Sequence, residues 1–419
     1  MKIIYLHQYF YTPNMIGVAG VRSYEFGRRL VEAGHQVEMV TSATNPPADA
    51  PAGWYETHEE GMRVHWLPNP YSNKMGFGKR IRAFVRFAWK SAWKAVSLDG
   101  DVIYATSGPL TIALPALLAS AVKRKPLVFE VRDLWPEGAI QLGVLRNPVA
   151  KFTSRVLEKT VYRFSKHIVA LSPGMKAGVL ARGVPAEKIN VIPNASDLDF
   201  FDPNATGDRM REKFRLEDRF ALAYFGTMGL ANGLGYVLDA ARVLKNRGVK
   251  DVIFILHGDG MERESLERRA KADALENVIF TGPVEEKSEV AELMAAVDVS
   301  MTIYANVPVL ATCSPNKLFD TFAAAKPALT NMPGALQRLL EENKCGVFVD
   351  PNCPEDCANK VIEMKNLSSG ELDEMGRNGR VLAERVFSRN KLAAKLRRIL
   401  ESVSEQGRGP RPPLQDDWI

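Results

Sequence analysis

The sequence predicts an α/β protein built from two doubly wound, Rossmann-like domains in tandem. Three observations carry this expectation. A strand–loop–helix–strand unit opens the chain, the same alternation restarts near residue 220, and 419 residues exceed what one hydrophobic core ordinarily organises. A composition of 46% hydrophobic and 25% charged residues is ordinary for a soluble globular chain and argues against wholesale disorder.

In order, Lys2–Leu6 reads as a buried strand, about Val21 to Ala33 as a helix stopped by Gly34, and Gln36–Thr41 as the next strand. That succession requires a parallel sheet with crossover helices. Apolar runs at Val102–Ala105, Leu127–Val131 and His167–Leu171 are each followed by Ser, Gly, Pro or Asp and then a helical stretch. Asn190–Pro193 reads as the last short strand of this half. A polar, proline-bearing joint runs from Asn194 to about Thr206. Beyond it come a strand at Phe220–Phe225, a glycine-rich loop to Gly235, and a helix from about Tyr236 to Asn246. Further strands are expected at Val252–His257, Val278–Thr281, Val299–Thr302, Pro327–Thr330 and Gly346–Val349. The domains are therefore placed at 1–196 and 207–389. A basic helix at about 390–402 is a candidate to pack back on the first domain, and the Gly/Pro-bearing tail 403–419 is expected to be flexible.

Charge and composition exclude several classes. Fifty-five Lys and Arg against 49 Asp and Glu is a mild excess, so no nucleic-acid partner is expected. The longest apolar candidate, Leu110–Val122, contains Pro115 and is too short to span a bilayer. The N-terminus has no separate apolar segment with a small-residue cleavage site, so a cytoplasmic location is expected. Cys313, Cys345, Cys353 and Cys357 have no partner pair at zinc spacing and read as thiols of a reducing compartment.

Four constellations carry chemistry. In SPNKLFDTFAAAKPAL, Ser314 to Leu329, Ser314 is expected as N-cap and Pro315 at the first helical position, with the helix running to about Ala325. Lys317 and Asp320, three apart, share a face. A helix N-terminus with a lysine suits an anion, and the acid one turn on suits paired hydroxyls. A capped helix with a solvated Lys–Asp pair fits the same residues. In YFGTMGLANGLG, Tyr224 to Gly235, strand, glycine loop and helix follow one another, so the backbone could approach a phosphate; a plain structural turn fits as well. The glycine spacing matches neither a dinucleotide fingerprint nor a Walker loop. Gly258-Asp259-Gly260 makes a tight turn after a strand. The fourth, VIPNASDLDFF, holds Asp197 and Asp199; their place in the joint and the apolar neighbours of Asp199 argue against a metal pair, so no metal site is expected.

A further stretch, Lys79 to Lys94, has six basic residues and no acids. Arg82, Arg86, Lys90 and Lys94 recur every fourth residue, with Trp89 opposite and Trp93 close to the stripe. Such a helix suits an anionic membrane surface. It equally suits a domain helix with its apolar side in the core.

Taken together, PNMIGVAGVRSYEFGRRL, VRDLWPEG, VIPN, YFGTMGLANGL, GDGMERESLE and KLFDTFAAAKP resemble the family 4 glycosyltransferases of GT-B fold, over nearly the whole chain. Within them the chain resembles bacterial O-antigen and capsule enzymes, especially N-acetylfucosaminyl transferases. The resemblance implies two domains facing a cleft. It implies retaining transfer from a nucleotide sugar, usually UDP-linked, with no metal or other cofactor. It places the donor in the C-terminal domain and the acceptor in the N-terminal one. Carried over residue by residue, Asp320 would bind ribose and Lys317 would lie near the diphosphate. Gly226, Thr227, Gly229 and Asn232 would face the phosphates, with Gly258 and Asn316 completing the donor side. Gly17, Gly20 and Arg22 would form the opposing, acceptor-side loop. Arg132, Asp133 and Glu137 are the candidates for orienting hydroxyls at the reaction centre, an internal Arg132–Asp133 ion pair being the other reading. Where the family often has an acid, this chain has Thr312; where it often has Arg and Lys in the glycine loop, it has Thr227 and Asn232. Lys317 is then expected to carry more of the diphosphate charge, aided by Arg132 or Arg22. The acceptor implied is a polyprenyl-diphosphate-linked saccharide at the inner face of the plasma membrane. A different donor or a soluble acceptor, or a non-catalytic sugar-nucleotide binder, stays open.

Overall fold

The structure is a computed structural model and describes residues 1–13, 15, 21–71, 75–195, 198–282 and 287–405. Gly17, Gly20, Asp197 and the tail from 406 lie outside the described residues. Two compact units emerge, dividing between Pro193 and Asn194 and again between Ser388 and Arg389.

The first unit contains β1 (Lys2–Leu6), α1 (Arg22–Glu32), β2 (Gln36–Ala43), β3 (Tyr55–Glu59), β4 (Met62–Pro68), α2 (Phe77–Ser97) and β5 (Val102–Thr106). It continues with α3 (Ala113–Lys123), β6 (Leu127–Val131), α4 (Glu137–Gln141), α5 (Pro148–Phe164), β7 (His167–Ala170), α6 (Pro173–Leu180) and β8 (Ile189–Val191). The sheet order is β3-β4-β2-β1-β5-β6-β7-β8. All neighbours are parallel except β3 and β4. The parallel strands are apolar runs because both faces are covered. β5 and β6 are buried at every position. One face carries Phe87 of α2, Ala116 of α3 and Val161 of α5 over Ile103 and Phe129.

The β3–β4 hairpin is absent from the sequence expectation. Its turn, Glu60-Gly61, has φ of 47° and 75°, the left-handed pair that a two-residue hairpin needs. Glu at the first position and the charges of YETHE conceal it. β3 is an edge strand, where charge guards against stray pairing.

This hairpin also corrects the basic stripe. Arg86 donates to Asn69 Oδ1 at 3.2 Å and to the Pro68 carbonyl, and Lys94 donates to Glu56 Oε1 at 3.2 Å. Both cations are therefore turned onto their own domain. The row left outward on α2 is Ile81, Val85, Trp89 and Trp93, with Trp89 65% exposed, and Arg82 and Lys90 are exposed beside it.

Arg22 is also corrected. It begins α1 but is only 6% exposed, and its guanidinium grips Glu130 Oε2 at 2.8 and 3.1 Å. It donates as well to the carbonyls of Ile192, at 2.9 Å, and Pro193. Glu130, fully buried on β6, accepts from Tyr104 Oη at 2.6 Å and Thr106 Oγ1 at 2.7 Å. Burial opposes ionisation of Glu130, but Arg22 outweighs it and holds the carboxyl below its usual range. Arg22 is a structural cation, spent inside the fold.

The second unit contains α7 (Asp208–Lys213), β9 (Phe220–Phe225), α8 (Gly235–Asn246), β10 (Val252–His257), α9 (Arg263–Ala272), β11 (Val278–Gly282) and α10 (Lys287–Ala296). It continues with β12 (Val299–Thr302), α11 (Asn316–Ala323), β13 (Ala328–Thr330), α12 (Ala335–Glu342), β14 (Gly346–Phe348), α13 (Pro354–Lys365) and α14 (Ser369–Arg385). Its sheet is parallel throughout, ordered β11-β10-β9-β12-β13-β14. The strand order reverses between β9 and β12, and ligands of open α/β sheets sit beyond the carboxyl ends at such a point. The last helix, α15 (Arg389–Ser404), belongs to the first unit; it packs on α1 and sets Arg389 3.3 Å from Glu25.

Arg22→Met should strand Glu130 as a buried, uncompensated charge and cost about 3–5 kcal/mol. Arg22→Lys should recover only part, because it lacks the planar fork. Urea unfolding followed by circular dichroism checks this; wild-type stability in the Met variant would refute the structural role.

Candidate functional sites

In the second unit the strand-end loops are fastened to each other. Gly226 follows β9 with φ 122°, and Gly258 follows β10 with φ 147°. A Cβ on Gly258 would lie 1.9 Å from the Gly226 carbonyl oxygen, so only glycine permits the approach. Met228 N–H donates to Asp259 O at 2.8 Å, and Glu262 N–H to Met228 O at 3.0 Å. Two motifs that are separate in sequence thus form one platform. Thr227 is exposed on it. Asn232, expected to face the donor, is instead buried, and its Oδ1 accepts from Gly229 N–H at 3.3 Å. Its carbonyl shapes the loop.

Lys317 comes up beside this platform from the first turn of α11. Its Nζ lies 3.7 Å from the Tyr224 ring centroid and 5.6 Å from that of Tyr304. A Cβ on Gly226 would stand 3.8 Å from the same Nζ. Among the described residues no carboxylate lies within ion-pair distance of this ammonium. Burial pushes the ammonium down to about 7. Ring quadrupoles hold a cation only weakly compared with a carboxylate. The arrangement leaves a cation without an acidic partner among the described residues at the first turn of a helix, where the dipole also favours an anion. Asn316 opens the helix, and Asp320 follows Lys317 three residues on.

The start of α11 differs from the expectation. Ser314 does not cap it; the cap position is Pro315, and the helix ends at Ala323. Ser314 Oγ instead accepts from Asn194 N–H at 3.1 Å, while Asn194 Nδ2 donates to Ser314 O at 2.7 Å. The VIPN motif thereby anchors the residues leading into the helix. Thr312 Oγ1 donates to Val309 O at 2.7 Å. Tyr304 and this clasp were missed from sequence.

In the first unit, β1 and β5 flank the point where strand order reverses. His7 follows β1, Ser107 follows β5, and Arg132 follows β6. Arg132 N–H donates to Ser107 Oγ at 2.8 Å, and Arg132 Nη1 stands 3.2 Å from His7 Nε2. Burial, then Arg132, keeps His7 neutral, so its Nε2 accepts from the guanidinium. His7 Nδ1 and Gln8 Oε1 are buried without hydrogen-bond partners. Sequence reasoning missed both; a histidine inside an otherwise apolar strand end was the available signal.

Arg132 and Asp133 form no ion pair with each other among the described residues, which removes that alternative. Crowding raises the Asp133 carboxyl to about 6 against the pull of Arg132, although the side chain keeps contact with solvent. Glu137 is corrected: it lies 3.8 Å from both Arg155 and Arg182 and accepts from Gln141 Nε2 at 2.9 Å. These cations, brought by α5 and the end of α6, draw it into a helix-face network. Among the described residues no three His, Cys, Asp or Glu side chains converge on a metal position.

Residues 17–195 match the model of the glycosyl transferase 4-like domain, and residues 219–366 match that of glycosyl transferases group 1. This chain carries two glycosyltransferase domains. The glycosyltransferase is 23% identical to the probable glycosyltransferase WbjE of Pseudomonas aeruginosa, over 86% of this chain and 87% of the relative. It is also 23% identical to the putative colanic acid biosynthesis glycosyl transferase WcaI of Escherichia coli, over 64% and 69%. Its fold matches that of Anabaena Alr3699/HepE, solved with UDP-glucose, with a TM-score of 0.71, 18% identity, and 96% and 100% of the two chains covered. The glycosyltransferase has the GT-B fold.

Affinity for a nucleoside diphosphate should depend on pH through Lys317. An ammonium that ionises at about 7 when unliganded is charged below that pH and must take up a proton on anion binding above it. The dissociation constant for UDP should therefore rise between pH 7 and 9.5, by up to about tenfold per unit. Lys317→Arg should flatten the profile, since arginine stays charged. Calorimetric titration reads both; a flat wild-type profile would refute the assignment.

Proposed function

We propose that the chain is a retaining, metal-independent glycosyltransferase. It moves a sugar, an N-acetylated hexose, from a UDP-sugar to a polyprenyl-diphosphate-linked saccharide in surface polysaccharide synthesis. The observation that carries the donor half is the uncompensated Lys317 ammonium beside the Gly226–Gly258 platform. HepE, solved with UDP-glucose, supports UDP as the nucleotide, and the name of WcaI supports a surface polysaccharide.

In this reading Lys317 and the first turn of α11 stabilise the diphosphate as the bond from sugar C1 to the phosphate oxygen breaks. The acceptor oxygen attacks C1 on the same face, and its proton passes to the departing phosphate oxygen. No pair of protein carboxylates at glycosidase spacing is then required. Asp320 accepts from the ribose hydroxyls. Arg132, held by neutral His7 and Ser107, and Asp133 at its side bind on the acceptor side. With a lipid-linked acceptor the enzyme works at the inner face of the plasma membrane, reached from the cytoplasm, and α2 offers Trp89 and Trp93 with Arg82 and Lys90 to that surface. The N-acetylfucosaminyl assignment is the narrowest form of this reading.

A non-catalytic sugar-nucleotide binder is favoured by one observation: Thr312 stands where an acid is usual and spends its hydroxyl on Val309. UDP release that requires an acceptor decides between the two. Asp320→Ala should weaken UDP binding by about 1.5–3 kcal/mol per charged hydrogen bond lost, roughly 10- to 100-fold for one bond. Turnover should survive EDTA. Loss of activity in chelator, restored by magnesium or manganese, would overturn the metal-independent mechanism, and unchanged UDP affinity in the Asp320 variant would overturn the ribose contact.

A further inference from the structure

Helix α3 packs against α2 on one side and α5 on the other, all three covering one face of the first sheet. Each has a second, outward apolar row. On α3 it is Leu114, Leu118 and Val122; on α5 it is Val149, Phe152 and Val156, with Phe152 67% exposed. These spacings of three and four residues put each row on a single helix face, as does the Ile81-to-Trp93 row of α2. Three neighbouring helices thus present apolar rows to water, where a surface helix ordinarily presents polar residues.

Charge says what covers them. The three helices hold eleven of the chain's 55 cationic side chains and one of its 49 acids; Arg86, Lys94 and Arg155 are engaged by Asn69, Glu56 and Glu137, which leaves eight for an outside anion. That acid, Glu158, is 3% exposed and 3.2 Å from Arg182. The rest of the chain, with 44 cations and 48 acids, is net negative. A second copy docked symmetrically through this face would set like charge against like charge. An anionic bilayer accepts both components, apolar rows into the acyl boundary and cations onto the headgroups.

We propose that α2, α3 and α5 together form a docking face for an anionic lipid bilayer, with the α3 and α5 rows inserting beside the α2 tryptophans. The inference takes its partner from the membrane reading above and enlarges the surface from one helix to three; it does not depend on glycosyl transfer.

The test is sedimentation of the full-length protein with vesicles of phosphatidylcholine, with and without 30% phosphatidylglycerol, at about 0.1 and 0.5 M salt, where screening lengths differ more than twofold. One variant carries Leu114→Ser, Val122→Ser, Phe152→Ser and Val156→Ser, leaving α2 intact. Wild type should prefer the anionic vesicles and keep part of its binding at high salt. The variant should lose at least tenfold in partition at both salts, with UDP affinity and circular dichroism unchanged. Equal sedimentation of variant and wild type would overturn the three-helix face, even if α2 alone still bound lipid. Equal binding to neutral and anionic vesicles would overturn the charge argument. A lipid-free wild-type dimer that the variant loses, without change in vesicle binding, would assign the face to self-association instead. UDP release is scored separately in detergent, so failure of the transferase reading leaves the vesicle result intact.

Discussion

Lys317 is kept against the face of Tyr224 with no carboxylate at ion-pair distance among the described residues, and the second domain is arranged around that constraint. A half-buried cation is destabilising unless something compensates, so the fold supplies partial substitutes: ring quadrupoles and a crowded glycine platform overhead. The glycines at 226 and 258 matter for different reasons: a side chain at 226 would stand against the Lys317 ammonium, and one at 258 would strike the Gly226 carbonyl and prise the two loops apart. The Asn194–Ser314 clasp fixes the approach to α11, and Thr321 Oγ1 donates to the Lys317 carbonyl at 2.7 Å. Loops, clasp and helix thus converge on one ammonium.

The first domain treats its charges the opposite way. Arg22 and Glu130 are matched to each other and to hydroxyls and carbonyls, so they specify the positions of strands β5, β6 and β8 and offer nothing to a ligand. Arg132, two residues beyond Glu130, is where matching stops. The only side-chain hydrogen-bond partner of its guanidinium among the described residues is a neutral imidazole, with Glu130 and Asp133 acting on it at longer range. Each domain thus holds a cation that has no ion-pair partner among the described residues, Arg132 directly after β6 and Lys317 on the first turn of α11.

Much of the fold was legible in the sequence because buried parallel strands leave continuous apolar runs and glycines mark their ends. Every parallel strand except β4 announced itself this way, and so did α11, through Lys317 and Asp320. What escaped has a common cause. The face a residue occupies follows from local spacing, but its partner comes from distant chain. Arg22 looked like a loop cation because Glu130 is 108 positions away. Arg86 and Lys94 looked like lipid contacts because the hairpin that engages them was itself unseen. Ser314 looked like a cap because the N–H that takes its hydroxyl oxygen, that of Asn194, lies 120 positions earlier. Glu137 looked available until α5 and the turn after α6 brought Arg155 and Arg182 to it.

A lysine that has lost its proton near neutrality is no longer only a counterion; it is an amine nucleophile. Most surface lysines are protected from acylation and carbamylation by their charge, whereas burial against Tyr224 pushes the Lys317 ammonium down to about 7 and weakens that protection. On the proposed donor reading, a bound diphosphate would restore the proton and mask the nitrogen. Nucleotide occupancy would then serve as chemical shielding as well as substrate supply, so the enzyme would be most vulnerable to electrophilic damage when its donor runs short.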